Sequence, residues 1–267
     1  VGKTLLIANW KMNLTIHEAS LFIHTLSDMI DHDPKVEIVL APTMLALQAL
    51  SLQNPHHQFK LAAQNFYWRD SGAYTGEVSA TQLRGLVRYA LVGHSERRHV
   101  FGERDRDLRN KVQAAYRNEI TPVLCVGETA SERALGETND ILHDQLVGGL
   151  SNITGEEAGH LVVAYEPVWA ISNGKDFASH AVPTPNDAAQ AAKAIRNQIA
   201  HLFGAATAKK VRVLYGGSVT ADNAAGYLGA EGIDGLLVGG ASLDVHSFAA
   251  IIDKAAKKKS PTKGKKK

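Results

Sequence analysis

Eight short apolar runs punctuate the chain, each passing into polar residues or glycine: TLLIANW (4–10), EIVLAPT (37–43), KLAAQNF (60–66), YALVGHS (89–95), ITPVLCVGE (120–128), HLVVAYEP (160–167), VRVLYGGS (211–218) and IDGLLVGGAS (233–242). They lack clean apolar/polar alternation, as expected of strands covered on both faces in a parallel sheet. Between the runs the period becomes helical. Ala19, Phe22, Ile23 and Leu26 fall at i, i+3, i+4 and i+7. Ser79 with Gln82 has the spacing of a capping box ahead of Leu83, Leu86 and Val87. Thr184 as N-cap, Pro185 and Asp187 open a helix whose apolar stripe is Ala188, Ala191, Ala192, Ile195 and Ile199, with Gly204 as its stop. Strand–helix alternation repeated eight times predicts eight parallel strands. Right-handed crossovers close such a series into a single-domain α/β structure, a (β/α)8 barrel. A doubly wound open sheet is the structural alternative, and eight near-equal units favour closure.

Length agrees, since 267 residues suit one barrel of about 250 residues with a short extension. The barrel is assigned to residues 1–256 and a disordered lysine-rich tail to 257–267. That tail, KKKSPTKGKKK, holds seven lysines and no acid, so the formal net charge of +2 becomes 2 − 7 = −5 for residues 1–256. Three readings suit it: a solubilising end, weak salt-dependent contact with nucleic acid or an anionic surface, or an addition made for expression. Cys125 is the only cysteine, which excludes an intrachain disulfide and favours a reducing compartment. The start, VGKTLLIANW, has too short an apolar run for a secretion signal. No run approaches the roughly 18 apolar residues a membrane helix needs. A cytoplasmic location with no membrane partner is expected.

Active sites of such barrels lie at the C-terminal ends of the strands, which turns the strand assignments into a short set of candidates. Run 1 ends in Asn9, Trp10 and Lys11, run 4 in His94, Ser95 and Glu96, and run 6 in Glu166. Runs 7 and 8 end in Gly216-Gly217-Ser218 and Gly239-Gly240. Each has a blander reading when taken alone. Lys11 reads as a solvated lysine, His94 as a locally packed histidine, and Glu166 as a surface acid. Their joint placement points to chemistry. Glycine turns after the last two strands expose backbone N–H groups where phosphate binds in these barrels. A carboxylate, an imidazole and an ammonium facing a small phosphorylated molecule suit proton abstraction beside a carbonyl. The carboxylate takes the C–H proton while the other two stabilise enediolate oxygens. No spacing of cysteines and histidines suggests zinc, and no dinucleotide fingerprint appears, so no cofactor or metal is expected.

The peptides ANWKMN (8–13), AQNFYWRDSGAYTGE (63–77), VGHSERR (92–98), YEPVWAI (165–171), YGGSV (215–219) and LLVGGASL (236–243) resemble those of the triosephosphate isomerase family, in order and at family spacing, over roughly residues 3–253. The resemblance implies reversible interconversion of dihydroxyacetone phosphate and D-glyceraldehyde 3-phosphate through an enediolate, in glycolysis and gluconeogenesis. It makes Glu166 the base and His94 a neutral electrophile. It gives Lys11 the charge on enediolate and phosphate, Asn9 the orientation of the oxygens, and Glu96 a supporting part. Ser218, Gly239 and Gly240 grip the phosphate, joined by Ser172 when a lid over roughly 167–177 closes and excludes water. Pro167 and Trp169 become the stem of that lid. The family's dimeric state implies a homodimer in which Thr75, beside Tyr74 and Gly76, approaches the partner's site.

Two departures from the family pattern concern the lid. Ser172 stands where the family usually has glycine, and a side chain there restricts φ. DFASHAVP (176–183) carries an insertion of about six residues beside the lid's far hinge. Asn173-Gly174 is prone to deamidation, which would set a new carboxylate near the phosphate. Arg97, Arg98 and Glu77 are assigned to ion pairs at the interface, and Cys125 to core packing. The competing enzyme reading is another phosphate-binding barrel isomerase or lyase with a bulkier ligand. A barrel that binds through its lysine tail is the reading from another class.

Overall fold

The structure, a computed structural model, describes residues 2–54, 58–170 and 182–258. Ser172, Asn173-Gly174, most of the inserted segment and the tail beyond Lys258 lie outside the described residues. The first half of the chain runs β1 (Thr4–Asn9), α1 (Ile16–Met29), β2 (Val36–Ala41), α2 (Met44–Gln53), β3 (Lys60–Ala63), α3 (Ala80–Leu83), β4 (Tyr89–Val92), α4 (Ser95–His99) and α5 (Asp105–Arg117). It continues through β5 (Thr121–Val126), α6 (Ala130–Ala134), α7 (Thr138–Leu150), α8 (Gly155–Ala158), β6 (Val162–Tyr165), α9 (Pro185–Phe203) and α10 (Ala205–Ala208). It ends with β7 (Arg212–Tyr215), α11 (Ala224–Gly229), β8 (Gly235–Val238) and α12 (Val245–Ala256). All neighbouring strands pair in parallel, and β8 returns to β1 through Leu5↔Gly235 and Ala8↔Val238. The barrel is closed, so the open-sheet alternative falls.

Two-sided burial explains the unalternating strand sequences. Successive side chains point to opposite faces. Leu5 and Ile7 therefore enter the barrel with Val39, Leu91, Val123, Ala164 and Leu214, while Leu6 and Ala8 join the layer shared with the helices. Both faces are dry, and an apolar residue is favoured at every position. Cys125 belongs to the inner cluster. Burial pushes its thiol well above the usual range, and the nearby Glu166 charge adds to this. The thiol is a packing group there.

Helix boundaries follow local signals. Thr184 and Asp187 bond reciprocally at the start of α9, Pro185 occupies its first position, and Gly204 ends it at φ 89°. The buried face of α9 is Ala188, Ala191, Ala192, Ile195 and Ile199. Ser79 and Gln82 cap α3 in the same reciprocal way. In α1 the buried residues are Ala19, Phe22, Ile23 and Leu26. Ser95 and Glu96, read from sequence as the end of a strand, belong instead to α4, because the chain leaves the barrel after Val92 and His94 caps the new helix. At the opposite mouth, Glu37 accepts from Tyr89 Oη (2.8 Å) and from Arg212 (2.8 Å), filling the barrel's N-terminal end with a polar cluster. Among the described residues no helix is long and apolar enough to cross a membrane.

Candidate active site

A cavity of about 270 Å³ opens where the strands end, lined by Asn9, Lys11, His94, Glu166, Ser218, Gly239 and Gly240 among others. These seven residues, singled out from sequence, come from the ends of five different strands. Glu96 stands behind the cavity, and Thr75 is exposed on the loop after β3, away from its lining.

Lys11 reaches the cavity through an unusual backbone. Its φ is +52°, a left-handed conformation that costs of order 1–3 kcal/mol in a residue with a side chain. Neighbours hold it there. Asn9 Oδ1 accepts the Lys11 N–H (3.1 Å), and Gln64 Nε2 donates to the carbonyls of both Lys11 and Ala41 (2.8 Å each). The ammonium then donates to Glu96 Oε1 at 2.7 Å. That ion pair is part-exposed, at 23% and 36%, so it orients the lysine more than it stabilises the fold.

His94 is buried and its ring is held by hydrogen bonding. Nδ1 accepts the Glu96 N–H at 3.2 Å, which requires that this nitrogen carry no proton. The neutral ring then bears its proton on Nε2, which lies 3.3 Å from Glu166 Oε1. The other oxygen, Oε2, accepts the N–H of Ser95 at 3.0 Å, at the start of α4. Glu166 follows β6 by one residue and is only 2% exposed. Room for it comes from Gly216, where a Cβ would stand 2.9 Å from Glu166 Cγ.

The chain after Glu166 is tied down as far as the structure describes it. Trp169 Nε1 donates to Glu128 Oε1 (2.9 Å), and Ser218 Oγ donates to the carbonyl of Ala170. Glu128 is wholly buried and also accepts from Tyr165 Oη at 3.0 and 3.1 Å. Burial drives the Tyr165 phenol far up, and the Glu128 carboxylate reinforces it. Arg133 lies 4.3 Å from the Trp169 ring centroid and pairs with Asp187 at 3.0 Å.

The sequence matches known proteins along the whole barrel. The family model described as Triosephosphate isomerase matches residues 4–255. The triosephosphate isomerase of Citrifermentans bemidjiense is 43% identical over 251 residues, covering 94% of this chain and 98% of that protein. Its counterpart from Moorella thermoacetica is 42% identical over 252 residues, with 94% and 98% covered. The one from Clostridium perfringens is 40% identical over 250 residues, with 93% and 98% covered. The chain belongs to the triosephosphate isomerase family. Family membership makes it an isomerase, and its place is among the enzymes of glycolysis.

Two residues at the site escaped the sequence reading, and a third, Ser95, was named at the end of run 4 without a role. Gln64 sits just past β3 in the quoted AQNF stretch, and its polar side chain at a strand end was an available signal. Glu128 follows β5 much as Glu166 follows β6, another signal left unused. Ser95 contributes a backbone N–H, which no side chain announces. Arg97 and Arg98 form ion pairs within this chain, with Glu103 and Asp105. The reason is the tight course of the chain after α4, which returns both acids beneath it.

Proposed function

We propose that this chain interconverts dihydroxyacetone phosphate and D-glyceraldehyde 3-phosphate with Glu166 as the base that carries a proton between the two carbons. The observation that supports this most is convergence: a buried carboxylate, a neutral imidazole and an ammonium meet at one cavity. The substrate phosphate is placed against the backbone N–H groups of Gly239 and Gly240 and beside Ser218, with Lys11 supplying positive charge. The two oxygens then face His94 Nε2–H and Asn9, while Lys11 stabilises the developing enediolate. Glu166 leaves the Ser95 N–H to reach the carbon, and the proton it takes returns to the neighbouring carbon. His94 moves protons between the oxygens in the same step. Glu96 holds Lys11 in place. Ser172 completes the phosphate grip.

A homodimer in the cytoplasm belongs to the same reading. Met12 (93% exposed), Val100 (73%) and Phe101 (65%) lie in the segments after β1 and α4, at the same end of the barrel as the Thr75 loop, and exposed apolar side chains there suit a second copy. The test of the chemistry is a coupled isomerase assay on the wild type and Glu166→Gln. Loss of the base is expected to lower kcat by about 10²–10⁴-fold, and comparable rates would overturn the assignment.

A further inference from the structure

Past the last residue of β5, the chain stays beside β6 for two more residues. Glu166 N–H donates to the Val126 carbonyl (2.8 Å), and Val168 N–H donates to the Glu128 carbonyl (3.0 Å). Backbone polar groups alternate sides along an extended chain, so Gly127, between those two, turns its N–H and C=O away from β6. On that side β4 has already ended at Val92 and departed as α4. Side chains replace the missing strand. Arg98 Nη2 donates to the Cys125 carbonyl at 3.2 Å. Gln145, from α7, takes both groups of Gly127: its Oε1 accepts the N–H at 2.8 Å and its Nε2 donates to the carbonyl at 3.1 Å.

Gly127 also lies face to face with the base's own backbone. A Cβ there would stand 1.9 Å from the Glu166 carbonyl oxygen and 3.2 Å from Pro167 N. Only hydrogen separates Gly127 from the peptide that joins Glu166 to Pro167. Whatever fixes the Gly127 peptide plane therefore fixes the platform from which the Glu166 carboxylate swings. A primary amide suits this because it offers a donor and an acceptor side by side, matching the N–H and C=O of one residue. Asparagine offers the same pair on a shorter stem. A carboxylate offers acceptors alone.

We infer that Gln145 is a positioning residue for Glu166, acting through the doubly bonded Gly127 peptide. The inference rests on Glu166 being the base. Gln145 does not line the cavity. Its removal frees Gly127 to move, and a shift near 1 Å at a reacting group costs on the order of 10²-fold in rate.

The test compares the full chain with Gln145→Met, which keeps length without hydrogen bonding, and Gln145→Glu, which keeps the acceptor and loses the donor. With dihydroxyacetone phosphate, Gln145→Met is expected to lower kcat about 10–100-fold while KM stays within about threefold. Gln145→Glu falls between it and the wild type, about 3–10-fold below the latter. Inhibition by inorganic phosphate, which reads the phosphate grip of Gly239, Gly240, Ser218 and Lys11 and not the Glu166 carboxylate, stays unchanged. Each change is then repeated on a Glu166→Asp background. There the carboxylate is already displaced, so Gln145→Met should cost less than about threefold more. A kcat within about twofold of wild type for either variant, or an equal fold-loss in both backgrounds, overturns the inference. If Gln145→Met does not fold, Gln145→Glu carries the same comparisons. Glu166→Gln keeps the two readings apart: if it is inactive while Gln145 variants are normal, positioning alone fails, and if it is active, the base assignment fails.

Discussion

Glu128 offers a sharp test of how the segment after Glu166 is held. Its carboxylate has no solvent exposure and serves two donors, Tyr165 Oη and Trp169 Nε1. In Glu128→Leu both donors lose their acceptor, and a buried unpaired donor costs about 1–3 kcal/mol, so the pair costs roughly 4 kcal/mol. For a domain of this size, 1 kcal/mol moves Tm by about 2–4 °C, which predicts a fall of about 8–16 °C. Glu128→Gln behaves differently. Its remaining oxygen can sit at the Oε1 position, which already lies 3.0 Å from Tyr165 Oη and 2.9 Å from Trp169 Nε1. Charge assistance is lost, about half the strength of each bond, together with the part-exposed pairing to Arg133 at 3.6 Å, so about 1–2 kcal/mol or 2–8 °C is expected. Thermal unfolding should be followed by calorimetry at one fixed protein concentration, because assembly makes Tm concentration-dependent. A Leu variant within about 2 °C of the wild type, or a Gln variant as damaged as the Leu variant, would refute the argument.

Other consequences can be checked in the same way. Lys111 is buried against Glu103 and Asn65, and burial holds its pKa below the usual value despite the Glu103 charge. Lys111→Met should cost about 1–3 kcal/mol in chemical denaturation, because Glu103 loses its buried ammonium but keeps Arg97 and Asn65 loses its donor. Burial raises the phenol pKa of Tyr89, Tyr116, Tyr165, Tyr215 and Tyr227. The unfolded chain therefore releases these protons first, and stability falls as pH rises above about 10, by up to about 1.4 kcal/mol per pH unit for each ring. Denaturation between pH 9 and 11 should show that slope, and Tyr116→Phe, which removes an unpartnered hydroxyl, should flatten it. Burial alone would raise Asp187, but bonds from Thr184 and Arg133 outweigh it and the carboxyl titrates below its usual range. The stability it contributes is present above the unfolded value near pH 4 and is lost as pH falls through the lower folded value. Asp187→Asn should accordingly be less stable than the wild type at pH 7 and lose less stability on acidification, as measured by denaturation at each pH.

The sequence by itself determined the strand positions, the caps of α3 and α9 and seven of the residues that line the cavity. A parallel barrel buries both faces of every strand, so unbroken apolar runs mark β1 to β8, and their polar ends mark one mouth of the barrel. Capping is equally local: Thr184, Pro185 and Asp187 lie within four residues and need no partner from elsewhere. That is why Lys11, His94 and Glu166 were legible before any contact was known. Tertiary structure decided what those ends do to each other. Locally only Asn9 helps hold Lys11 in its left-handed conformation, and the other groups that hold it, Gln64 and Glu96, arrive from just past β3 and from α4. Nothing in VVAYEPVWAI shows that the Glu166 carboxylate rests on the N–H of Ser95, or that its backbone lies against Gly127 and, through it, Gln145 of α7. Hydrogen bonds between residues 71 or 18 positions apart depend on how the barrel closes and where β4 leaves it, and the apolar pattern carries no record of either.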